Sequence, residues 1–153
     1  MKLQVLERRL EIPVTLKEAW DFFSNPANLT YITPPRLGFR MTSEAPGRIY
    51  PGLILTYTVS PFFGIPLDWV TEISHVKEPA YFVDDQLRGP YRLWHHEHMF
   101  KETGGGVEVR DLVHYALPLG PLGSIAHELV VKRQLKEIFD YRSEYLAGKY
   151  GRG

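Results

Sequence analysis

Two histidines and two aspartates in the middle of the chain have the types and spacing for acid–base chemistry or for holding a polar group. Trp94-x-His96-x-His98-x-Phe100 has period two, so a strand sets both imidazoles on one face between aromatic rings. Phe82-x-Asp84-x-Gln86 places a carboxylate and an amide in the same way, and Asp111 and Tyr115 follow in phase. An imidazole beside a carboxylate can act as a general base, which makes His96 and His98 the candidate bases and Asp84 and Asp111 the candidate orienting groups. No serine stands in a recognisable nucleophile motif, and the absence of cysteine excludes a thiol nucleophile, thiolate metal sites and disulfides. The same polar groups can also form a closed hydrogen-bond network that only stiffens a core.

Turn chemistry decides whether these residues meet. If Gly89-Pro90-Tyr91 is a three-residue turn, Asp84 and Gln86 come opposite His96 and Trp94. If Thr103 to Gly106 is a four-residue turn, His98 comes opposite Asp111, His96 opposite Val113 and Trp94 opposite Tyr115. One sheet face then carries Trp94, His96, His98 and Phe100 with Phe82, Asp84, Gln86, Asp111 and Tyr115. The other carries Arg92, Glu97, Glu108 and Arg110. The first is the expected cavity face, and Tyr57 and Trp69 add aromatic wall to it.

Around this centre the chain reads strand, two short helices, six strands, long helix. Lys2 to Ile12 is a strand whose apolar positions change phase from Leu3 and Val5 to Leu6, Leu10 and Ile12, as a bulge or an edge position would require. Thr15 and Glu18 have capping-box spacing, and Leu16, Ala19, Trp20 and Phe23 follow at helical intervals to about Ser24. Asn25-Pro26 opens a second short helix, which Thr33-Pro34-Pro35 closes after Ile32. From Arg36 to Leu117 the period is two, with turn signals that divide the stretch into six antiparallel strands. Beyond Pro121 an apolar stripe of Val131, Leu135, Ile138, Phe139 and Leu146 opposes Arg133, Glu137, Asp140 and Glu144. With Pro121 in its first turn and Gly148 as its cap, this helix spans about 27 residues, roughly 40 Å. Only a helix of that length fills the concave side of such a sheet, so the expected class is α+β.

The 153 residues fit one domain, and Lys plus Arg balance Asp plus Glu at 18 each, so nothing favours a phosphate backbone and no nucleic-acid partner is expected. The charged start and the lack of a run near the ~20 apolar residues of a membrane span predict a cytoplasmic protein with no integral-membrane segment. Aromatic residues make up 13% of the chain, enough to line a pocket as well as fill a core.

The element order resembles the START and birch-pollen-allergen helix-grip superfamily, also called SRPBCC. Four stretches are similar to its bacterial ligand-binding, polyketide cyclase/dehydrase-like branch: Asn25-Pro-x-Asn-Leu-x-x-Ile-Thr-Pro-Pro35, Phe82-x-Asp-x-Gln86-x-x-Gly-Pro90, Trp94-x-His96-x-His98-x-Phe100 and Phe139-x-Tyr-Arg142. The resemblance covers residues 1–153 almost throughout. It implies a seven-stranded curved antiparallel sheet wrapped around the C-terminal helix. It further implies a carrier or sensor for a small apolar molecule, aromatic, polyketide-like or lipid-like, or an enzyme of the cyclase or dehydratase type. A protein-interaction module with a filled cavity, binding a partner through the sheet surface or the Pro61 to Pro66 stretch, is a third alternative. The glycine-rich loop of the plant allergens has no counterpart here.

His96-x-His98-x-x-x-Glu102 also resembles the metal-ligand stretch of the cupins, but a jelly roll has no place for the long helix, so neither metal nor cofactor is expected. Arg142, inside the apolar stripe, either snorkels at the rim or pairs with a cavity-side aspartate. The apolar stretch Pro61 to Pro66 is a lid, a partner surface or a loop folded onto the domain. His75, His95, His114 and His127 receive no role and are expected to be solvated or half-buried.

Overall fold

The turn residues close the hairpins in the expected places. In the computed structural model, which describes residues 2–151 apart from the Phe62 side chain, β1 (Gln4–Ile12) leads into α1 (Leu16–Phe23) and α2 (Leu29–Ile32). Six strands follow: β2 (Arg40–Met41), β3 (Leu53–Phe62), β4 (Ile65–Lys77), β5 (Tyr81–Arg88), β6 (Leu93–Thr103) and β7 (Gly106–Ala116). They form one antiparallel sheet of seven strands in the order β1-β7-β6-β5-β4-β3-β2.

Local chemistry explains the helical start. Thr15 Oγ1 accepts from the Glu18 amide at 3.1 Å and the Glu18 carboxylate accepts from the Thr15 amide at 3.2 Å, so the capping box forms in both directions. Asn25 caps a 3₁₀ turn at Pro26–Asn28 that runs directly into α2. A further 3₁₀ turn at Pro35–Leu37, not foreseen in the sequence, ends at Gly38 in the left-handed region (φ 57°). β1 pairs with β7 without a break from Gln4 to Ile12, so it has no bulge. The change of apolar phase reflects its edge position, where Leu3 and Val5 are exposed while Ile12 is fully buried.

The two central hairpins have the expected register. Asp84 pairs with His96 across β5 and β6, and His98 pairs with Asp111 across β6 and β7. The second turn is tighter than four residues, because Thr103 and Gly106 themselves pair. Gly106 has φ 147°, and a Cβ there would stand 2.1 Å from the Ile12 carbonyl oxygen, so only glycine fits where the hairpin meets β1. Pro61 to Pro66 is also no free loop. Only Phe63 and Gly64 lie outside the strands, both at positive φ (54° and 68°) as a two-residue hairpin turn demands, and Phe63 is 98% exposed rather than folded onto the sheet.

The last helix is 31 residues long and comprises α3 (Gly120–Ala126), a π-helical turn at His127–Val131 and α4 (Lys132–Tyr150). It ends at Gly151 rather than Gly148, with the Gly151 amide donating to the Ala147 carbonyl. Val131, Leu135, Phe139 and Leu146 are buried as the stripe requires, and Ile138 is partly buried. They fall into two packed regions. Leu146 joins Ile12, Trp20, Phe82, Phe100 and Val107, whereas Val131, Leu135 and Phe139 join Val113 and Tyr115. The helix therefore bridges two apolar clusters, and the space between them is where a cavity opens. No helix among the described residues is long and apolar enough to cross a membrane.

Candidate functional site

β5, β6 and β7 bring the four acid–base residues together under the long helix. His96 and His98 lie two residues apart on β6, so their rings stack, with centroids 3.7 Å apart and an interplanar angle of 22°. His98 also stacks on Phe82, its direct cross-strand neighbour, at 4.1 Å. That contact redirects the polar bonds. The expected His98–Asp111 pair stands at 3.6 Å, and the short bonds run diagonally: His98 Nε2 to Asp84 Oδ2 at 2.5 Å and His96 Nε2 to Asp111 Oδ1 at 2.8 Å. Diagonal neighbours on a sheet are within reach of long side chains, and imidazoles fall in that class.

Arg142 resolves its two alternatives in favour of the ion pair. Its guanidinium donates to Asp111 Oδ1 at 3.2 Å and lies over the Phe139 ring at 4.8 Å. Asp111 is thus bonded by Arg142 and His96 and approached by His98. Burial acts against its ionisation, but Arg142 and the hydrogen bond from His96 outweigh burial and hold its carboxyl below the usual range. Asp84 follows the same pattern: burial opposes its charge, and the bond from His98 with the nearby His96 and Arg142 keeps it ionised. Burial pushes the pKa of His98 down to about 4, with His96 adding to the effect against Asp84. At neutral pH His98 is therefore uncharged, and it donates its Nε2 proton to the Asp84 carboxylate.

The cavity between sheet and helix holds about 180 Å³ and is partly open. Of the residues expected around it, Tyr57, Trp69, Phe82, Asp84, Trp94, His96 and His98 line it. Gln86, Phe100, Asp111 and Tyr115 do not. Gln86 instead pins the preceding turn of β6, its amide donating to the Tyr91 carbonyl at 2.6 Å and accepting from the Tyr91 amide at 3.1 Å. Phe100 packs edge-on against Trp20 in the core, and Tyr115 bonds to His127 Nε2 at 2.7 Å. Asp111 stands behind the two histidines. Period-two parity assigned all four to the inner face correctly, but parity gives the face and not the depth.

Several wall residues were missed. Tyr91 stacks at a tilt on Trp94 at 4.8 Å, although the Gly-Pro-Tyr turn marked it only as a turn residue. Trp69 meets Trp94 edge-on at 5.4 Å and stacks on Tyr57 at 5.9 Å, so these rings form a continuous wall. The Tyr57 hydroxyl bonds to Thr71 Oγ1 at 2.9 Å, and burial raises its pKa, keeping the phenol neutral. His127, expected to be solvated or half-buried, is buried on the helix face that also carries Val131 and Leu135. The spacing of four residues from 123 through 127 and 131 to 135 was the available signal. His95 has an outer-face role, donating from Nδ1 to Asp85 at 2.6 Å. Glu102 is exposed near the end of β6 and cannot join the two histidines as a ligand.

A curved antiparallel sheet gripping one long helix, with a polar patch in an aromatic-walled cavity, defines the helix-grip class. No family model and no curated protein matches the chain. Solved structures do share its architecture. A point mutant of norcoclaurine synthase from Thalictrum flavum, solved with a transition-state analogue, is 16% identical, covers 97% of this chain and 96% of that one, and gives a TM-score of 0.66. Protein Ms6760 of Mycobacterium smegmatis is 16% identical over 98% of this chain and 99% of that one, with a TM-score of 0.66. Ara h 8.0201 is 15% identical over 96% and 99%, with a TM-score of 0.62. The chain has the helix-grip fold of these proteins.

Proposed function

We propose that the chain binds a small, mostly apolar molecule with one polar group, as a carrier or sensor. The observation that supports this reading is the division of the cavity wall. The rings of Tyr57, Trp69, Tyr91 and Trp94 are continuous, while Asp84, His96, His98 and Arg142 gather in one patch. Rings offer area to an apolar body at low entropic cost, and a few convergent polar groups fix its orientation. The volume of about 180 Å³ narrows the ligand class. A dry apolar cavity of about 150 Å³ holds benzene, so one or two fused rings fit here and a long-chain lipid does not.

A titration of tryptophan emission with naphthalene and with 1-naphthol tests this. Both are expected to saturate, with 1-naphthol binding about 5-fold tighter, the worth of one net hydrogen bond of about 1 kcal/mol. Trp94→Ala weakens both ligands, whereas Asp84→Asn removes only the advantage of the hydroxyl. Absence of saturable binding up to ~1 mM for either compound, a Kd limit of about 4 kcal/mol, contradicts the proposal.

A second reading, an enzyme of the cyclase or dehydratase type, draws on the His98–Asp84 pair at the cavity surface and on the norcoclaurine synthase neighbour, an enzyme on the same fold. Turnover of a bound carbonyl compound that is lost in His98→Gln with binding retained distinguishes it from the carrier. A protein-interaction module with a filled interior is disfavoured by the open cavity.

A further inference from the structure

We infer that Asp84, His96 and His98 form a binding site for one divalent transition-metal ion, zinc or a first-row neighbour, on the cavity wall. One ligand atom from each of the three lies within 4.8 Å of the others, and all three residues line the cavity. Two imidazoles and one carboxylate, gathered on one side with the other side open, match the donor preference of such ions.

The arrangement of atoms goes further than the donor list. Each imidazole has one nitrogen toward Asp84 and the other toward Asp111. For His98 these are Nε2 at 2.5 Å from Asp84 and Nδ1 at 3.6 Å from Asp111. For His96 they are Nδ1 at 3.9 Å from Asp84 and Nε2 at 2.8 Å from Asp111. Asp111 does not line the cavity, and Arg142 holds it from its own side at 3.2 Å. It is therefore placed as an outer carboxylate that accepts the rear N–H of both ligating histidines and fixes their orientation, the usual support of a metal-bound imidazole.

The His96 bond to Asp111 needs its proton on Nε2, because an ionised carboxylate only accepts. Its other nitrogen, Nδ1, faces the carboxylate of Asp84 at 3.9 Å, and a cation between them would take both as ligands. To ligate through Nε2, His98 carries its proton on Nδ1, from which it donates to Asp111. The cluster sets two carboxylates, Asp84 and Asp111, against the single guanidinium of Arg142, a balance that favours a cation. Donors that share a tetrahedral ion stand about 3.3 Å apart, so the His98–Asp84 contact has to open by roughly 0.8 Å and the His96–Asp84 contact to close by roughly 0.6 Å.

The test uses the full chain with any affinity tag removed, treated with chelator, and titrated with Zn²⁺ and with Co²⁺. One equivalent is expected to bind, and Co²⁺ is expected to develop the visible absorption of a low-coordinate site. Asp84→Asn and His98→Gln should each weaken binding by at least ~100-fold while remaining folded by circular dichroism. Asp111→Asn should weaken it by roughly 10- to 100-fold, as loss of an outer carboxylate does, and His95→Ala should leave it unchanged. Failure of both metals to bind the wild type, or binding that Asp84→Asn and His98→Gln leave intact, overturns the inference. Should those variants not fold, ring-nitrogen shifts on adding Zn²⁺ decide it in the wild type: they must fall on two of the six histidines, and any other pattern overturns the site. The metal titration needs no ring ligand, so a chain that takes zinc but not 1-naphthol refutes only the carrier reading.

Discussion

Replacing Asp111 by leucine is expected to destabilise the metal-free protein by about 3 to 5 kcal/mol, among the largest effects a single substitution can have here. The carboxylate is buried, bonded to His96 at 2.8 Å and to Arg142 at 3.2 Å, and its loss removes the carboxylate to which the buried guanidinium donates. Urea denaturation of the single variant and of Asp111→Leu with Arg142→Met separates the two parts of this cost. The double variant should recover most of the loss, because two apolar side chains of similar size can replace a buried ion pair with little net change. A double variant as unstable as Asp111→Leu would show that Arg142 is not the group left stranded. In a double-mutant cycle Asp111→Asn should couple to His96→Gln by ~0.5 to 3 kcal/mol, and less to His98→Gln, since the short bond joins Asp111 to His96.

Leu146→Ala is expected to cost about 3 to 5 kcal/mol, at the upper end of the range for deleting a buried leucine. Leu146 is 1% exposed and packs with Ile12, Trp20 and Val107, away from the cavity. Its removal leaves a void that rigid aromatic and β-branched neighbours cannot fill. Leu135→Ala is expected to cost less, because Leu135 already faces free space, and to enlarge the cavity instead. Equal losses at the two sites in urea denaturation would mean that the cavity is closed around Leu135 in solution.

These contrasts also show what was legible in the sequence. Turn residues and period-two parity give registers, so Gly89-Pro90 and the glycines after Thr103 were sufficient to align Asp84 with His96 and His98 with Asp111. They do not give the rotation of a ring about its own side-chain bonds. Phe82, lying directly across from His98, takes the flat of the imidazole and turns the polar bonds onto the diagonals. Depth was equally out of reach: Asp84 and Asp111 share a face, yet one lines the cavity and the other supports the histidines from behind. The apolar stripe placed α4 correctly because a 3.6-residue period persists from Val131 to Leu146. The π-helical turn broke the pattern ahead of it, which left Leu122, Ile125 and Leu129 exposed and His127 buried.

The three tryptophans offer the most direct measurement of ligand binding in the cavity. Trp69 and Trp94 line it, while Trp20 lies in the core between Phe82 and Phe100 and does not. In a ¹⁵N-labelled sample titrated with 1-naphthol, the indole N–H signals of Trp69 and Trp94 should move along one saturating curve with a common Kd, while that of Trp20 stays in place. Signals of Trp69 and Trp94 that never saturate, or that move no more than that of Trp20, would contradict a ring-sized ligand site in this cavity.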